Sequence, residues 1–285
     1  MCVVRVLLGR QSRFESLCLA LYRAIVTVVF ILTISPPADA ADDVPQIDTI
    51  PTKEIWAGAD VTGDVWLLYS GVTIAPWDKG IFGDGWRLRA AGGYGQFSFT
   101  RDASRSFQNA ACGGPNQERC NDTGGQSKYL VQHTYSEVLF GCQKQIGELT
   151  AKGFVGVSYV DFSTTAPAEI FRLKGADIGV KGALELWLNI GPKGWSSLDL
   201  SYETARATAA ARWRAGWRIE PQLSIGPELR YDRNAVDQAG RAGAFARYEW
   251  PGGEVSIAGG ATGPVGESFI RDRSFYATLN VLFQY

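Results

Sequence analysis

Apolar and polar residues alternate one by one along much of this sequence. The last stretch, "SFYATLNVLFQY", places on one face the apolar residues Phe275, Ala277, Leu279, Val281, Phe283 and Tyr285. The positions between them carry the polar groups of Tyr276, Thr278, Asn280 and Gln284. A period of two sends successive side chains to opposite faces of a β-strand. The segment therefore predicts a strand with one apolar and one polar face.

The same alternation recurs upstream. In "ATAAARWRAGWRIE" one face carries Ala209, Ala211, Trp213, Ala215, Trp217 and Ile219. The opposite face carries Thr208, Arg212, Arg214, Arg218 and Glu220. We predict twelve strands, near 55–62, 65–75, 84–100, 129–146, 148–162, 174–190, 195–204, 207–220, 222–232, 240–250, 253–262 and 274–285. The second and fourth alternate poorly, so ten strands remain an alternative.

The lengths of the connections distinguish a membrane barrel from a soluble sandwich, because outer-membrane barrels have short periplasmic turns and longer external loops. Counted from the C-terminus, the long "GPVGESFIRD", "DRNAVDQA" and "STTAPAEIFR" alternate with the short "PGG", "EP", "GPKG" and "GE". Two connections break the rule. "TGD" is short where an external loop is expected, and "PWDKGIFGDG" is long for a periplasmic turn.

A two-layer β-sandwich also predicts two-faced strands. It does not predict the alternating connections, the terminal aromatic Tyr285, or strand ends such as Trp195, Tyr248 and Trp250, which we expect at the membrane interface. The fold prediction is therefore all-β: an antiparallel transmembrane β-barrel in the outer membrane of a Gram-negative bacterium, surrounded by outer-membrane lipid.

The first forty residues have the features of a secretory signal peptide. Basic residues (Arg5, Arg10, Arg13 and Arg23) precede an apolar run over residues 24–34 and the sequence "ADA". The run is shorter than the roughly 20 residues that a spanning helix needs, so we predict cleavage after Ala40 rather than a membrane anchor. The predicted organisation is a signal peptide at 1–40, a short periplasmic segment at 41–54 and the barrel at 55–285.

Three cysteines remain after this cleavage. Cys112 and Cys120 lie in "NAACGGPNQERCNDTGGQ", within a predicted external loop at residues 101–128. In an oxidising compartment a disulfide between them is more probable than a metal pair. Cys142 would remain a lone thiol whose role the sequence leaves open.

The sequence offers little reactive chemistry. A formal net charge of −1 argues against a nucleic-acid partner, and a single Met and a single His argue against metal or redox work. We therefore predict no catalytic residues, no cofactor and no metal. A lipid-modifying enzyme would have to use His133, and the nearby Ser136 points to the opposite face of a strand. This enzyme remains an alternative.

The predicted inner face is rich in charge of both signs. The candidate lumen-lining residues are Arg87, Arg89, Lys181, Glu185, Trp187, Arg212, Arg214, Arg218, Glu228, Arg230, Arg241 and Arg247. A network of ion pairs that fills a small lumen is the favoured hypothesis. The alternative is a polar conduit in which sugar rings stack on Trp187, Phe245 and Tyr276, which lie on separate strands.

Several segments together resemble the cellulose biosynthesis protein BcsS family. They are "DGWRLRAAGGYGQFSF", "GVKGALELW", "SYETARATAAARWRAGWRI", "LSIGPELRYDRN" and "RAGAFARY", and the cysteine-bearing loop departs from the family. The resemblance implies a non-catalytic outer-membrane accessory role in making or exporting cellulose, with cellulose and other cellulose-synthesis proteins as partners. A general solute or oligosaccharide porin is the alternative. Oligomeric state and the path of the polymer stay open.

Overall fold

The computed structural model describes residues 50–76, 80–102, 126–166, 174–234, 238–265 and 274–285. The predicted signal peptide with its cleavage site at Ala40 and the Cys112–Cys120 disulfide lie outside these ranges. Within them, no helix is long and apolar enough to cross a membrane. The strands are β1 Lys53–Thr62, β2 Val65–Ile74, β3 Gly85–Asp102, β4 Gln126–Ile146, β5 Leu149–Thr164, β6 Gly175–Ile190, β7 Gly194–Glu203, β8 Thr208–Arg218, β9 Leu223–Arg233, β10 Gln238–Trp250, β11 Gly253–Pro264 and β12 Ser274–Gln284.

These strands form one closed antiparallel barrel. Each strand pairs with its sequence neighbours, and β1 closes the barrel against β12, with Ile55 opposite Phe283. The backbone of Tyr285 continues the closure by bonding to Lys53 in both directions, at 2.9 and 3.0 Å. Closure leaves no free strand edge, which satisfies the backbone in a medium without water. The predicted barrel of twelve strands is confirmed.

The two ends of the barrel differ. We call the end that holds Lys53, Tyr285 and the short connections at 147–148, 191–193 and 251–252 the turn end, and the opposite end the loop end. Outer-membrane barrels place short turns in the periplasm and longer loops outside. The turn end therefore corresponds to the periplasmic side.

The outer wall is apolar and has an aromatic band near each end. Large exposed aliphatic side chains include Leu68, Leu88, Val138, Val155, Ile178, Val180, Leu184, Leu229 and Ile257. Exposed aromatic side chains include Trp86, Phe140, Trp217 and Tyr248 toward the turn end, and Tyr94, Tyr159, Tyr202 and Phe275 toward the loop end. An apolar band between aromatic girdles is the surface of an outer-membrane barrel. The protein therefore spans the outer membrane.

Strands β3 to β6, of 16 to 21 residues, are longer than the others and extend the wall at the loop end. Their outward positions there include the polar residues Gln132 and Thr134 as well as the exposed Leu130. Their inner face carries an apolar cluster with Phe99, Val131, Val160 and Phe162 at its centre. The cluster also buries Ala205, in a single 3-10 turn that joins β7 to β8. The extended wall is thus packed on its inner face.

Strand boundaries differ from the predictions by a few residues. β1 begins at Lys53 rather than at 55. β3 continues to Asp102 and β4 begins at Gln126, so both enter the predicted 101–128 loop. Hydrogen bonds to the neighbouring strand extend each of these elements past the residues where the apolar alternation is visible.

Glycines in the wall make room for large rings on the neighbouring strands. A Cβ placed on Gly58 would lie 2.4 Å from the ring of Tyr69, and one on Gly216 would lie 2.2 Å from the ring of Trp195. The same close approach pairs Gly71 with Trp56, Gly93 with Tyr135 and Gly141 with Phe154. Each ring can lie against the neighbouring strand because the glycine there has no side chain.

Candidate functional site

The turn end of the barrel is partly covered by the connection between β2 and β3. Arg87, only 2% exposed, donates to the carbonyl oxygens of Gly80 at 3.2 Å, Ile81 at 3.1 Å and Gly83 at 2.5 Å. The Gln143 amide donates to the carbonyl of Gly83 at 3.3 Å. We call residues 80–84 the turn-end plug. This unusually long periplasmic connection is thus held against the barrel interior.

Above the turn-end plug, ion pairs join strands that are not neighbours. Arg89 on β3 contacts Glu185 on β6 at 2.5 Å, and Lys152 lies 4.0 Å from the same carboxylate. The Arg89 guanidinium also lies 4.0 Å from the centre of the Phe154 ring. Lys181 pairs with Glu137 two strands away. Apart from the Lys152–Glu185 pair, which joins the adjacent strands β5 and β6, these contacts cross the inside of the wall rather than following the ladder of one strand pair.

The longest of these connections is made by Asp60 on β1. Its carboxylate accepts hydrogen bonds from Arg241 on β10, at 2.6 and 2.7 Å, and from Arg230 on β9 at 2.8 Å. Strands β11 and β12 separate β1 from β10 in the barrel. The pairs therefore span a chord of the lumen, and Asp60 is itself 6% exposed.

Asp60 compensates a row of arginines. Arg212 on β8 stands opposite Arg230 on β9, which stands opposite Arg241 on β10. Like charges that face each other across a ladder are destabilising, so each guanidinium needs contact with an acid. Asp199 binds Arg212 at 2.9 Å, and Asp60 serves the other two.

Two tyrosines add hydrogen bonds to this network. The Tyr276 hydroxyl donates to Glu228 at 3.2 Å, and the Tyr69 hydroxyl donates to Asn280 at 2.5 Å. Tyr276 reaches from β12 to β9 across Gly243, where an added Cβ would lie 2.7 Å from its hydroxyl. The network therefore continues around the β9–β2 side of the lumen.

An aromatic cluster with two cations lies between the Asp60 pairs and the turn end. Trp187 and Trp195 stack at 4.2 Å between ring centres, and Phe245 lies 5.3 Å from Trp195. Arg247 lies over Trp187 at 4.7 Å, and Arg214 lies 5.5 Å from Phe245. Arg247 also pairs with Glu249 and Glu254. A buried cation over an aromatic face is stabilised by the ring quadrupole.

This cluster corrects one prediction. Trp195, expected at the membrane interface, is 1% exposed, and its indole N–H donates to Ser224 at 3.2 Å inside the barrel. Gly216 leaves the space across which the ring lies. Trp187 and Phe245 lie on separate strands, as expected, and Trp195 joins them because it contacts both rings.

The structure places the side chains of all twelve candidate lumen residues toward the interior, within the contacts described above or, for Arg218, near Asn189 at 3.4 Å. It brings together Arg89 with Glu185, Arg230 with Arg241, and Trp187 with Arg247. The candidates omitted Asp60, Glu137 and Trp195. The sequence could have placed Asp60 on the inner face. In "EIWAGADVT" apolar residues alternate with Glu54, Trp56, Asp60 and Thr62.

His133 lies outside this network, on the inner face at the loop end. Its ring stacks on Phe162 at 4.7 Å and lies 5.8 Å from the ring of Tyr135. Ser136 lies on the outward face of the same strand and is exposed. The surroundings of the imidazole are therefore aromatic. Cys142 is a free, exposed thiol.

Several solved barrels are similar to this chain at low identity. They include the transport unit of the autotransporter AIDA-I from Escherichia coli, at 10% identity and a TM-score of 0.47, covering 86% of this chain and 93% of that one. The KdgM porin matches at 8% identity and 0.43, covering 81% and 99%. The Pseudomonas putida toluene transporter TodX matches at 8% and 0.41, covering 82% and 88%.

No curated protein matches this chain. The family model for the cellulose biosynthesis protein BcsS matches residues 55–285, from the third residue of β1 to the end of the chain. The barrel with its charged, aromatic-lined interior therefore belongs to the cellulose biosynthesis protein BcsS family.

Proposed function

We propose that this protein is a non-catalytic accessory barrel of bacterial cellulose synthesis, which acts in the outer membrane without passing the polymer through a wide pore. The observation that carries the proposal is the chord of ion pairs from Asp60 to Arg230 and Arg241, in a chain of this family. These pairs occupy space that a glucan chain would need.

The size of the barrel supports the same conclusion. Twelve strands lie between eight-stranded barrels, whose interior is filled by side chains, and the 16- to 18-stranded porins, which leave an aqueous channel. The long side chains of Arg89, Arg214 and Arg247 narrow the interior further, since each is at most one-tenth exposed. The turn-end plug adds a second obstruction at the periplasmic side.

A non-enzymatic role is supported by the surroundings of His133. A general base must reach the proton that it removes, within hydrogen-bond distance or through one water. Among the described residues, the ring contacts of His133 are with Phe162 and Tyr135. We infer that its role is packing at the loop end.

Deletion of the gene in the native host tests the proposal. We expect the amount of cellulose or its attachment to the cell to change while synthesis of polymer from nucleotide sugar continues in membranes. Wild-type protein should restore the phenotype, and so should His133→Phe, which keeps a ring against Phe162 and removes the imidazole. Cellulose yield, its location and in vitro synthesis are measured separately.

Two results would contradict the proposal. Normal cellulose in the deletion strain, with altered lipid A or phospholipid that His133→Phe does not restore, would indicate a lipid-modifying enzyme. Large, stable conductance steps of the purified protein in planar bilayers, blocked by cello-oligosaccharides, would indicate a saccharide conduit. In the second case the Trp187–Trp195 stack is the expected contact for the sugar.

A further inference from the structure

Arg214 is a buried cation for which the described part of the chain supplies no hydrogen bond and no ion pair. The residue is 8% exposed, and its Nε is fully buried without a partner. Its described contacts are the rings of Trp195 at 5.8 Å and Phe245 at 5.5 Å. A guanidinium carries five N–H donors. Leaving a buried charge without a counter-ion is strongly unfavourable.

Asp199, Glu228 and Glu254 lie close enough to interact electrostatically with Arg214, but none of them forms an ion pair with it. Glu228 stands directly opposite Arg214 in the β8–β9 register, and one of its oxygens accepts the Tyr276 hydroxyl at 3.2 Å. Asp199 binds Arg212, at 2.9 Å. Glu254 pairs with the neighbouring cation Arg247. These carboxylates therefore offset part of the Arg214 charge without satisfying its N–H donors.

A second unpartnered donor lies beside it. Ser197 on β7 stands directly opposite Arg214 in the β7–β8 register, and its hydroxyl is buried without a hydrogen-bond partner. Arg247, which flanks the same Trp195 ring at 5.4 Å, also has one buried nitrogen, Nη1, without a partner. These unpaired groups can all donate, so the group that would satisfy them is an acceptor.

The positive charge of the Arg214 guanidinium favours a negative acceptor over a neutral one. Arg212, Arg230 and Arg241 already pair with Asp199 and Asp60, whereas Arg214 has no carboxylate in ion-pair contact among the described residues. A guanidinium presents its donors in a planar fork that matches carboxylate and phosphate oxygens. We propose that Arg214 and Ser197 form an anion-binding site in the lumen for a small oxyanion, a carboxylate or a phosphate group.

Anion binding to purified wild-type protein tests this site, and it is independent of the role in cellulose synthesis. The folded barrel in detergent is titrated with sodium phosphate or sodium acetate against sodium chloride at constant ionic strength. Thermal unfolding is followed by heat-modified gel migration, and tryptophan fluorescence reports on Trp187 and Trp195. We expect saturable stabilisation by at least one of the two oxyanions; the one with the lower Kd identifies the preferred group.

Arg214→Gln should weaken that binding at least tenfold, and Ser197→Ala should weaken it less. Arg218→Gln is the matched control, because Arg218 faces inward on the same strand but donates to Asn189 instead. It should bind like the wild type. Equal oxyanion responses in wild type and Arg214→Gln, both migrating as folded barrels, would overturn the proposal, as would a wild type whose stability does not distinguish oxyanions from chloride.

Discussion

At the level of single residues, Asp60 links parts of the barrel that the hydrogen-bond ladders do not connect directly. One carboxylate on β1 satisfies two guanidinium groups on β9 and β10. Burying three charges is favourable only when the geometry is good and the remaining donors are satisfied. Arg230 adds a hydrogen bond to Thr278 at 3.3 Å. Arg241 lies 3.4 Å from Asp232, although its Nε makes no hydrogen bond there.

Asp60→Asn should therefore be among the more damaging changes inside the barrel. It leaves Arg230 and Arg241 facing each other with one fewer acid, and breaking a buried pair costs about 3–5 kcal/mol. Urea unfolding of the protein in lipid vesicles measures the loss. Asp199→Asn is the comparison, because Asp199 is about one-third exposed and serves one arginine. An equal loss in the two variants would show that the chord across the lumen does not stabilise the fold.

Individual inward residues were only partly predictable from the sequence. Alternation assigns a face, which is enough to place Arg212, Arg214 and Glu185 inside. It does not say which acid meets which base, because Asp60 and Arg241 are 181 residues apart in sequence. Trp195 was assigned to the wrong face because a tryptophan at a strand end suits a membrane interface. The space left by Gly216 on the next strand is visible only once the register is known.

At the level of elements, the strands were predictable because each has a lipid face and a lumen face. The sequence showed that the β1–β2 connection is unusually short and the β2–β3 connection unusually long. It did not predict the structure of either connection. In the turn-end plug, Arg87 and Gln143 bind carbonyl groups from inside the barrel. In the short β1–β2 connection, the backbone N–H of Gly63 donates to the Ser274 hydroxyl on β12 at 3.3 Å. Such tertiary contacts are not visible in the sequence pattern.

The packing of rings on glycines gives a prediction for the β7–β8 pair. In Gly216→Ala the new methyl group would lie 2.2 Å from the Trp195 ring, which must move away from Trp187 and Ser224. Overpacking of this kind costs about 1–3 kcal/mol. Gly153→Ala is the control, since no atom lies within 4 Å of its added Cβ. Urea unfolding and tryptophan fluorescence should change in the first variant; unchanged values would mean that Trp195 is not held by this contact.

The assignment of faces on β8 can be tested by placing charge on each side. Ala211 shares the outward face with the exposed Trp213, so Ala211→Arg puts a charge into lipid at a cost of about 2–4 kcal/mol near mid-membrane. Thr208→Arg adds the same side chain to the inward face, where acids are available, and should be mild. Folding yield into vesicles and heat-modified migration measure both. Equal tolerance of the two substitutions would contradict the orientation of the strand.

At the scale of the whole molecule, the barrel combines an outer wall suited to lipid with an interior whose contacts run from the turn-end plug to the apolar cluster at the loop end. Arg87 holds the turn-end plug, and Asp60 joins the arginines in the middle of the barrel. Phe162 and its neighbours pack the interior at the loop end. Of these contacts, the Asp60 pairs join strands that are distant in the barrel order. Side chains thus occupy the interior at several heights, which is the basis of the proposed accessory role without a wide pore.

The turn-end plug allows a test of this view on the intact barrel. Arg87→Ala removes the donors that hold the carbonyls of Gly80, Ile81 and Gly83, while the strands and their ladders remain. Wild-type protein in planar bilayers should give small or no conductance, because the Asp60 level also obstructs the lumen. Arg87→Ala should raise conductance slightly, and Arg87→Ala combined with Asp60→Asn should raise it well beyond either single change.

Lys144→Ala is the matched control, since Lys144 contacts Asp84 of the same connection from an exposed position. It should conduct like the wild type. The wild type and the double variant could instead give equal open-channel currents. That result would mean that the turn-end plug and the Asp60 ion pairs do not close the lumen. If the double variant conducts and still restores normal cellulose to a deletion strain, the closed lumen is not required for the cellulose phenotype, and the outer surface of the barrel becomes the place where it acts.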